Sequence, residues 1–244
     1  MPVTSKPTLF ISDLHLSSAT PRTAENFFRF LRSVASRARA LYILGDLFDY
    51  WIGDDDLVDP FNQSVATALL QLVSSGVELF FMHGNRDFLI GAEFTRASGC
   101  QILPDPHRLD LNGTSTLLTH GDTLCTDDLD YQRFRNMVRA PDWQYIFLAK
   151  PLAERRTTAL GLRSQSEQAK HAKAMNIMDV NTSSVAAMFR LHHVRRIIHG
   201  HTHRPAKHDL LVNEVMCERW VLSDWRATAP YLEQGAGELR ALEM

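Results

Sequence analysis

The chain has 244 residues, 45% of them hydrophobic and 22% charged, with a net charge of −2 at pH 7. That describes one globular domain with a sizeable core, and the near-neutral balance excludes a bulk nucleic-acid binder, which would carry a strong basic excess. No apolar run reaches the length of about 18 residues that a spanning helix needs. The opening MPVTSKPTLFISDLHL also lacks the apolar stretch and small-residue cleavage site of a signal peptide, so any membrane contact is expected to be peripheral. Cys100, Cys125 and Cys217 are odd in number and without metal-like spacing, and read as reduced thiols of a cytosolic protein.

Strands are predicted at 8–12, 40–44, 77–82, 115–119, 194–198 and 219–223, short apolar runs bounded by turn residues. Between the first two, residues 22–39 predict a helix with Phe27, Leu31, Val34, Ala35 and Ala38 on one face. Residues 62–75 predict a second, stopped by Gly76. Strand–helix–strand alternation points to an α/β fold with helices on the sheet faces. From about 127 to 180 the strand signal disappears and several helices are expected, an insertion that would cap the sheet edge within a single domain spanning 1–244. Within it, residues 133–173 carry nine basic and three acidic side chains, a net +6 that leaves −8 for the rest of the chain.

Five strand ends run into polar clusters: SDLHL (12–16), GDLFD (45–49), HGNRD (83–87), HGD (120–122) and HGHTH (199–203). Ligands bind at the carboxyl ends of strands in α/β sheets, and five clusters of Asp, Asn and His are too many for turn capping. Asp13 and His15, and likewise His201 and His203, are two apart, a spacing that in extended backbone aims both side chains the same way. Asp46 adds a carboxylate able to bridge two cations, Asn85 an amide oxygen and His120 an imidazole. Carboxylate, amide and imidazole without thiolate suit Mn²⁺, Fe²⁺ or Zn²⁺.

These motifs, D-x-H, GD, GN, H and GH-x-H in that order, resemble the calcineurin-like metallophosphoesterases. The resemblance implies a four-layer αββα sandwich and two divalent cations, expected as Mn²⁺. Asp13, His15, Asp46 and His203 would hold one, and Asp46, Asn85, His120 and His201 the other, with a bridging water beside Asp46 as nucleophile. Many members place a histidine after the asparagine, where it can protonate a departing alkoxide. Here the position is Arg86, a poor acid but a good bidentate clamp for phosphate. That replacement favours cleavage of a P–O–P anhydride, whose leaving phosphate, with a second pKa of about 6, needs no proton.

The wording ISDLHL, YILGDLFDYWIGDDD, HGNRDFLIG, LLTHGDTLCTDD and IIHGHTHRPA resembles, within that superfamily, the UDP-2,3-diacylglucosamine hydrolases of lipid A biosynthesis. The implied reaction releases UMP and 2,3-diacylglucosamine 1-phosphate (lipid X). The implied substrate contacts are Asn85, Arg86, Asp128, Tyr131, Ser166, Lys170, Lys173 and His201. Another dinuclear phosphodiesterase or phosphatase is the alternative, and a non-catalytic scaffold should have lost ligands that are all present here. In the insertion, Trp143, Tyr145, Ile146, Phe147, Leu148 and Leu152 are expected to divide between packing and an acyl-chain cleft. Lys150, Arg155 and Arg156 would rest on anionic headgroups at the cytoplasmic face of the inner membrane. His83 and His199 are expected in buried hydrogen-bonding roles, Asp54–Asp56 in a solvated helix-capping loop, and Cys125 in packing. Asp122 is expected to orient His120 or shape its turn, and Asp87 to hold the turn that carries Asn85.

Overall fold

The computed structural model describes residues 6–172 and 179–244, with 165–172 as helical backbone. Strand β1 (Thr8–Ile11) alternates its side chains between two cores, as the two-residue period of a strand requires. Leu9 and Ile11 join Leu41 and Ile43 of β2 (Ala40–Ile43) beneath α1 (Pro21–Ser33) and α2 (Pro60–Ser74), where Phe27, Phe30 and Leu69 cover them. Phe10 faces the other way and meets Tyr42, Met82, Leu118 and Ile198. That second core lies between two sheets. One has the order β11-β10-β1-β2-β3-β4 and the other β5-β6-β7-β9-β8. Their remaining strands are β3 (Glu78–Met82), β4 (Gln101–Leu103), β5 (His107–Leu111), β6 (Thr114–Thr119), β7 (Arg196–His199), β8 (Ala206–Val212), β9 (Val215–Val221), β10 (Pro230–Gln234) and β11 (Leu239–Glu243). On the far face of the second sheet, Leu117 and Ile197 pack under Val185 and Phe189 of α7 (Thr182–His192). The layers are therefore helix, sheet, sheet, helix, and α3 (Ala92–Ser98) joins the first of them through Phe94.

β1 to β4 run parallel, as do β6, β7 and β9, so each sheet sends several strand ends to one edge. Local signals mark the helices. Asp59 caps α2 by accepting from Phe61 N, with Pro60 at the first helical position, and Asn181 caps α7 through Ser183 N and Ser184 N. α1 ends at Ser33, six residues before the predicted boundary. Ala35 and Ala38 are core residues, as expected, but in a single 3-10 turn that brings Arg39 N to Pro7 O (2.7 Å) and starts the chain alongside β1.

Between β6 and α7 the insertion forms α4 (Leu129–Val138), α5 (Pro141–Leu148) and α6 (Leu152–Ala172). α5 sends Phe147 into the core and leaves Tyr145, Ile146 and Leu148 exposed. Two expectations for this region are corrected. Arg155 is buried and cannot reach a headgroup: it donates to Asp55 Oδ1 (2.9 Å) and to the Ile52 and Lys150 carbonyls. The Asp54–Asp56 run does cap a helix, as expected, but it is solvated only at Asp55, with Asp56 buried. Asp54 caps α3 through Gly91 N, Glu93 N and Phe94 N, Asp55 pairs with Arg155, and Asp56 is buried against Arg156 (2.6 Å). A buried guanidinium has to be paired, and these acids supply the pairing.

Arg155→Ala should cost about 2 kcal/mol, since it strands two carbonyls but leaves a partner carboxylate that is 57% exposed. Lys150→Ala, which breaks the exposed pair with Glu154, should cost under about 0.5 kcal/mol. Urea unfolding of both variants checks this, and equal effects would mean the Arg155 pairing does not hold the insertion down.

Candidate metal centre

Asp13 and His15 follow β1, Asp46 follows β2, Asn85 follows β3, His120 follows β6, and His201 and His203 follow β7. Both sheets thus deliver side chains to the edge where the parallel strands end, and all seven converge there. They do not converge as extended pairs. Asp13 (φ 56), His15 (φ 49), Asp46 (φ 54), His201 (φ 68) and His203 (φ 54) all lie in the left-handed region. Residues two apart therefore meet because each turns the chain, at roughly 1–2 kcal/mol of backbone strain apiece. Cross-strand bonds hold the turns in place: Asp13 N to Gly45 O (3.1 Å), His15 N to Asp46 O (3.0 Å) and Gly200 N to His120 O (3.0 Å). The packing leaves no room for a side chain at two neighbouring positions. A Cβ on Gly84 would stand 2.2 Å from Asp46 Oδ1, and one on Gly200 2.2 Å from Asp13 Oδ2.

Two groups of ligand atoms result, Asp13–His15–His203 and Asp13–Asp46–His120, each within 4.8 Å of one another. His15 Nε2 faces His203 Nε2 at 3.3 Å, and His203 Nε2 lies 3.3 Å from Asp13 Oδ1. On the other side Asn85 Oδ1 sits between His120 Nε2 (3.0 Å) and His201 Nδ1 (2.8 Å). His120 Nδ1 donates to the Leu44 carbonyl (2.8 Å), which turns its Nε2 toward Asn85 and Asp46 as the nitrogen that could hold a metal. His15 Nδ1 is buried with no hydrogen-bond partner among the described residues. Basic nitrogens facing each other and two buried carboxylates make a donor set that fits divalent cations.

The electrostatics agree. Burial pushes His15 down to about 4 and His201 to about 3, the neutral form a ligand needs. For His120 burial acts in the same sense, but Asp46, Asp122 and Asp13 outweigh it and lift the imidazole to about 9. Burial likewise opposes the ionisation of Asp13, yet the hydrogen bond and charge of His203, with His120 and His15, hold it well below the usual carboxylate range.

Asp87 is fully buried and accepts from Gly84 N (2.9 Å), Asp46 N (3.2 Å) and Leu47 N (2.7 Å), so it holds the turn of Asn85 against that of Asp46. Burial and then Asp46 raise it to about 6, and the backbone donors counteract. His199 is buried as expected. Its Nδ1–H donates to Gly200 O, and its Nε2 accepts from Arg219 (2.9 Å). His83 bonds the Ile90 carbonyl (2.7 Å). Cys100, Cys125 and Cys217 are buried thiols outside any disulfide, and burial followed by Asp122 pushes Cys125 up to about 12. Asp122 bonds not to His120 but to Tyr131 Oη (2.9 Å) and Arg135 Nε (2.7 Å).

A cavity of about 630 Å³ opens over the site. Arg86, Asn85, Asp128, Tyr131 and His201 line it near the ligands, and Trp143, Phe147 and Leu162 form an apolar wall under the insertion. Ser166 and Lys170 fall on the α6 stretch described as backbone, and Lys173 lies outside the described residues. Arg135, Arg139, Arg163 and Arg204 also line the cavity. In the sequence the first three stand out only as part of the insertion's basic charge, and Arg204 has no distinguishing signal. Tyr131, Arg135 and Arg139 are spaced four apart, a one-sided helical stripe that was there to be read.

An αββα sandwich presenting two adjoining carboxylate–imidazole groups at its strand ends defines a metallophosphoesterase. Residues 6–205 match the family model of the calcineurin-like phosphoesterases, which use a dinuclear metal centre. A UDP-2,3-diacylglucosamine hydrolase of Aromatoleum aromaticum is 53% identical over 235 residues, covering 96% of both chains. Relatives of the same name from Edwardsiella ictaluri and Salmonella paratyphi C are 48% and 51% identical. They cover 97% and 89% of this chain, and 92% and 90% of their own. The chain belongs to the UDP-2,3-diacylglucosamine hydrolase family of calcineurin-like phosphoesterases.

Asp87→Ala, which removes the acceptor for several buried N–H groups, should destabilise the protein by about 3 kcal/mol and lower its metal content, with Asp87→Asn intermediate. Chemical denaturation with metal analysis tests this, and unchanged metal content in the alanine variant would separate Asp87 from the site.

Proposed function

We propose that this chain hydrolyses the pyrophosphate of UDP-2,3-diacylglucosamine, with water attacking the α-phosphorus to give UMP and 2,3-diacylglucosamine 1-phosphate (lipid X). The observation that carries it is Arg86, an arginine beside the ligand Asn85 on a cavity with an apolar wall. Its relatives' names support the same substrate. Asp13, His15, Asp46 and His203 are assigned to one cation, and Asp46, Asn85, His120 and His201 to the second, with Mn²⁺ proposed for both on the carboxylate-rich donor set. When bound, two such cations polarise phosphoryl oxygens and lower the pKa of water. The chain's own part is to place Arg86 on the phosphate oxygens by a two-pronged contact and to bring the α-phosphorus opposite Asp46. An arginine side chain is a clamp rather than a general acid, and a departing phosphate does not require one. The Trp143–Phe147 wall, its rings stacked at 4.8 Å, suits an acyl chain, and Asp128 and Tyr131 suit the sugar. Ser166, Lys170 and Lys173 are assigned to the substrate on the resemblance alone.

The same reading puts the protein in the cytoplasm, peripheral on the inner face of the inner membrane, where a diacylated substrate resides. Exposed Tyr145, Ile146 and Leu148 on α5, next to Lys150, support an anionic-membrane contact there, in place of Arg155 and Arg156.

With Mn²⁺ and UDP-2,3-diacylglucosamine the protein should release UMP. Asp46→Ala should abolish turnover, and Arg86→Ala should lower kcat/KM about 100-fold or more at unchanged metal content. Turnover of a simple phosphodiester with none of the nucleotide lipid would overturn the assignment. Replacing Tyr145, Ile146 and Leu148 together by serine should weaken sedimentation with phosphatidylglycerol vesicles about tenfold or more. Undiminished binding would remove α5 from the membrane contact.

A further inference from the structure

The insertion does more than roof the cavity. Tyr131 and Arg135 on α4, and Arg139 at its C-terminal end, form one stripe that enters the turns beneath. Arg135 Nε (2.7 Å) and Tyr131 Oη (2.9 Å) both donate to Oδ2 of Asp122, a fully buried acid two residues after His120. Arg139 Nη2 donates to Gly84 O (2.9 Å), the carbonyl of the peptide that joins Gly84 to Asn85, and lies 5.6 Å over the Phe88 ring. The Tyr131 ring stands 5.6 Å from that of His201. Every element the stripe touches carries a ligand assigned only to the second cation: Asn85, His120 or His201. Asp13, His15 and His203 are held by the sandwich instead, through Ser12, Asp46, the His201 amide and Asp224.

We infer that Arg135 and Arg139 are positioning residues for the second cation, so that the insertion completes one half of the binuclear site and leaves the other to the sandwich. The inference rests on the ligand assignment made above and deepens it. Partners that orient metal ligands typically contribute about 10–100-fold to metal affinity. The remaining oxygen of Asp122, Oδ1, is buried without a hydrogen-bond partner among the described residues. Losing Arg135 therefore leaves that carboxylate to the Tyr131 hydroxyl and the more distant Arg139 guanidinium (3.9 Å), and loosens the His120 turn. Arg139 does the same work on the Asn85 turn from the opposite side to Asp87.

The test is Mn²⁺ titration of the full-length apoprotein by calorimetry, with electron paramagnetic resonance of the loaded protein to separate spin-coupled pairs from single ions. Arg135→Met and Arg139→Met should keep one site at wild-type affinity and weaken the other about 10–100-fold, with loss of the coupled signal at limiting metal. Arg139→Lys, which can still donate to Gly84 O, should recover most of the second site, and Tyr131→Phe should show a smaller loss in the same direction. Arg156→Ala, an insertion variant outside the stripe, should titrate as wild type. Two sites of wild-type affinity in both methionine variants would overturn the inference, and so would equal weakening of both sites. The titration uses no substrate, so failure of the proposed reaction would show in the UMP assay and leave this result standing.

Discussion

Burial of charge at the seam between two sheets is the constraint on which the rest depends. Asp13, Asp46 and His120 have almost no solvent contact, and carboxylates so placed are costly unless a positive partner is built in. The fold supplies imidazoles from both sheets, and the lone pairs of these groups point at one another as well as at the acids. Such an arrangement is strongly biased toward a cation, because only a positive charge satisfies both kinds of donor at once. The acids around His120 raise its imidazole to about 9 against the opposing effect of burial, which shows how strongly this seam favours positive charge.

Gathering those groups needs a backbone that ordinary strand ends do not provide. Five ligand residues are left-handed, and their turns are bonded across strands and to the buried Asp87. The strain is local and its supports are spread over both sheets, so the sandwich fixes the backbone of these turns. Gly84 and Gly200 belong to the same logic, since each lets a neighbouring turn approach to a distance at which a methyl group would collide with a ligand carboxylate.

What the sequence disclosed follows the same physics. The central strands β1, β2, β3, β6 and β7 are largely buried apolar runs and were legible, as was the order of polar motifs after them. β9 was legible only in its C-terminal half, its start at Val215 and Met216 being exposed. β4, β5, β8 and β11 lie at sheet edges or carry exposed polar positions, and β10, although next to β1, is too mixed in character to stand out. Spacing correctly suggested that Asp13 and His15 act together, but it suggested extended backbone. Left-handed φ at Asp and His has no distinctive local signature, and only the cross-strand bonds select it. The roles of Asp122 and Arg155 were illegible for a related reason: each is set by partners 9 to 100 residues away.

The charge asymmetry between insertion and body takes on a different meaning once those partners are known. A basic segment over an acidic body looks, in sequence, like a surface prepared for anionic lipid. In the structure Arg155, Arg156 and Arg163 turn inward to Asp55, Asp56 and Asp49, and Arg135 and Arg139 reach Asp122 and the Gly84 carbonyl. The two charges are complementary faces of one seam. They hold the insertion over the cavity together with the packing of Trp143, Phe147 and Leu152 against the core, while Tyr145, Ile146 and Leu148 on α5 face outward. The basic charge of the insertion is thus spent on holding it to the body, and what its outer face presents at α5 is apolar.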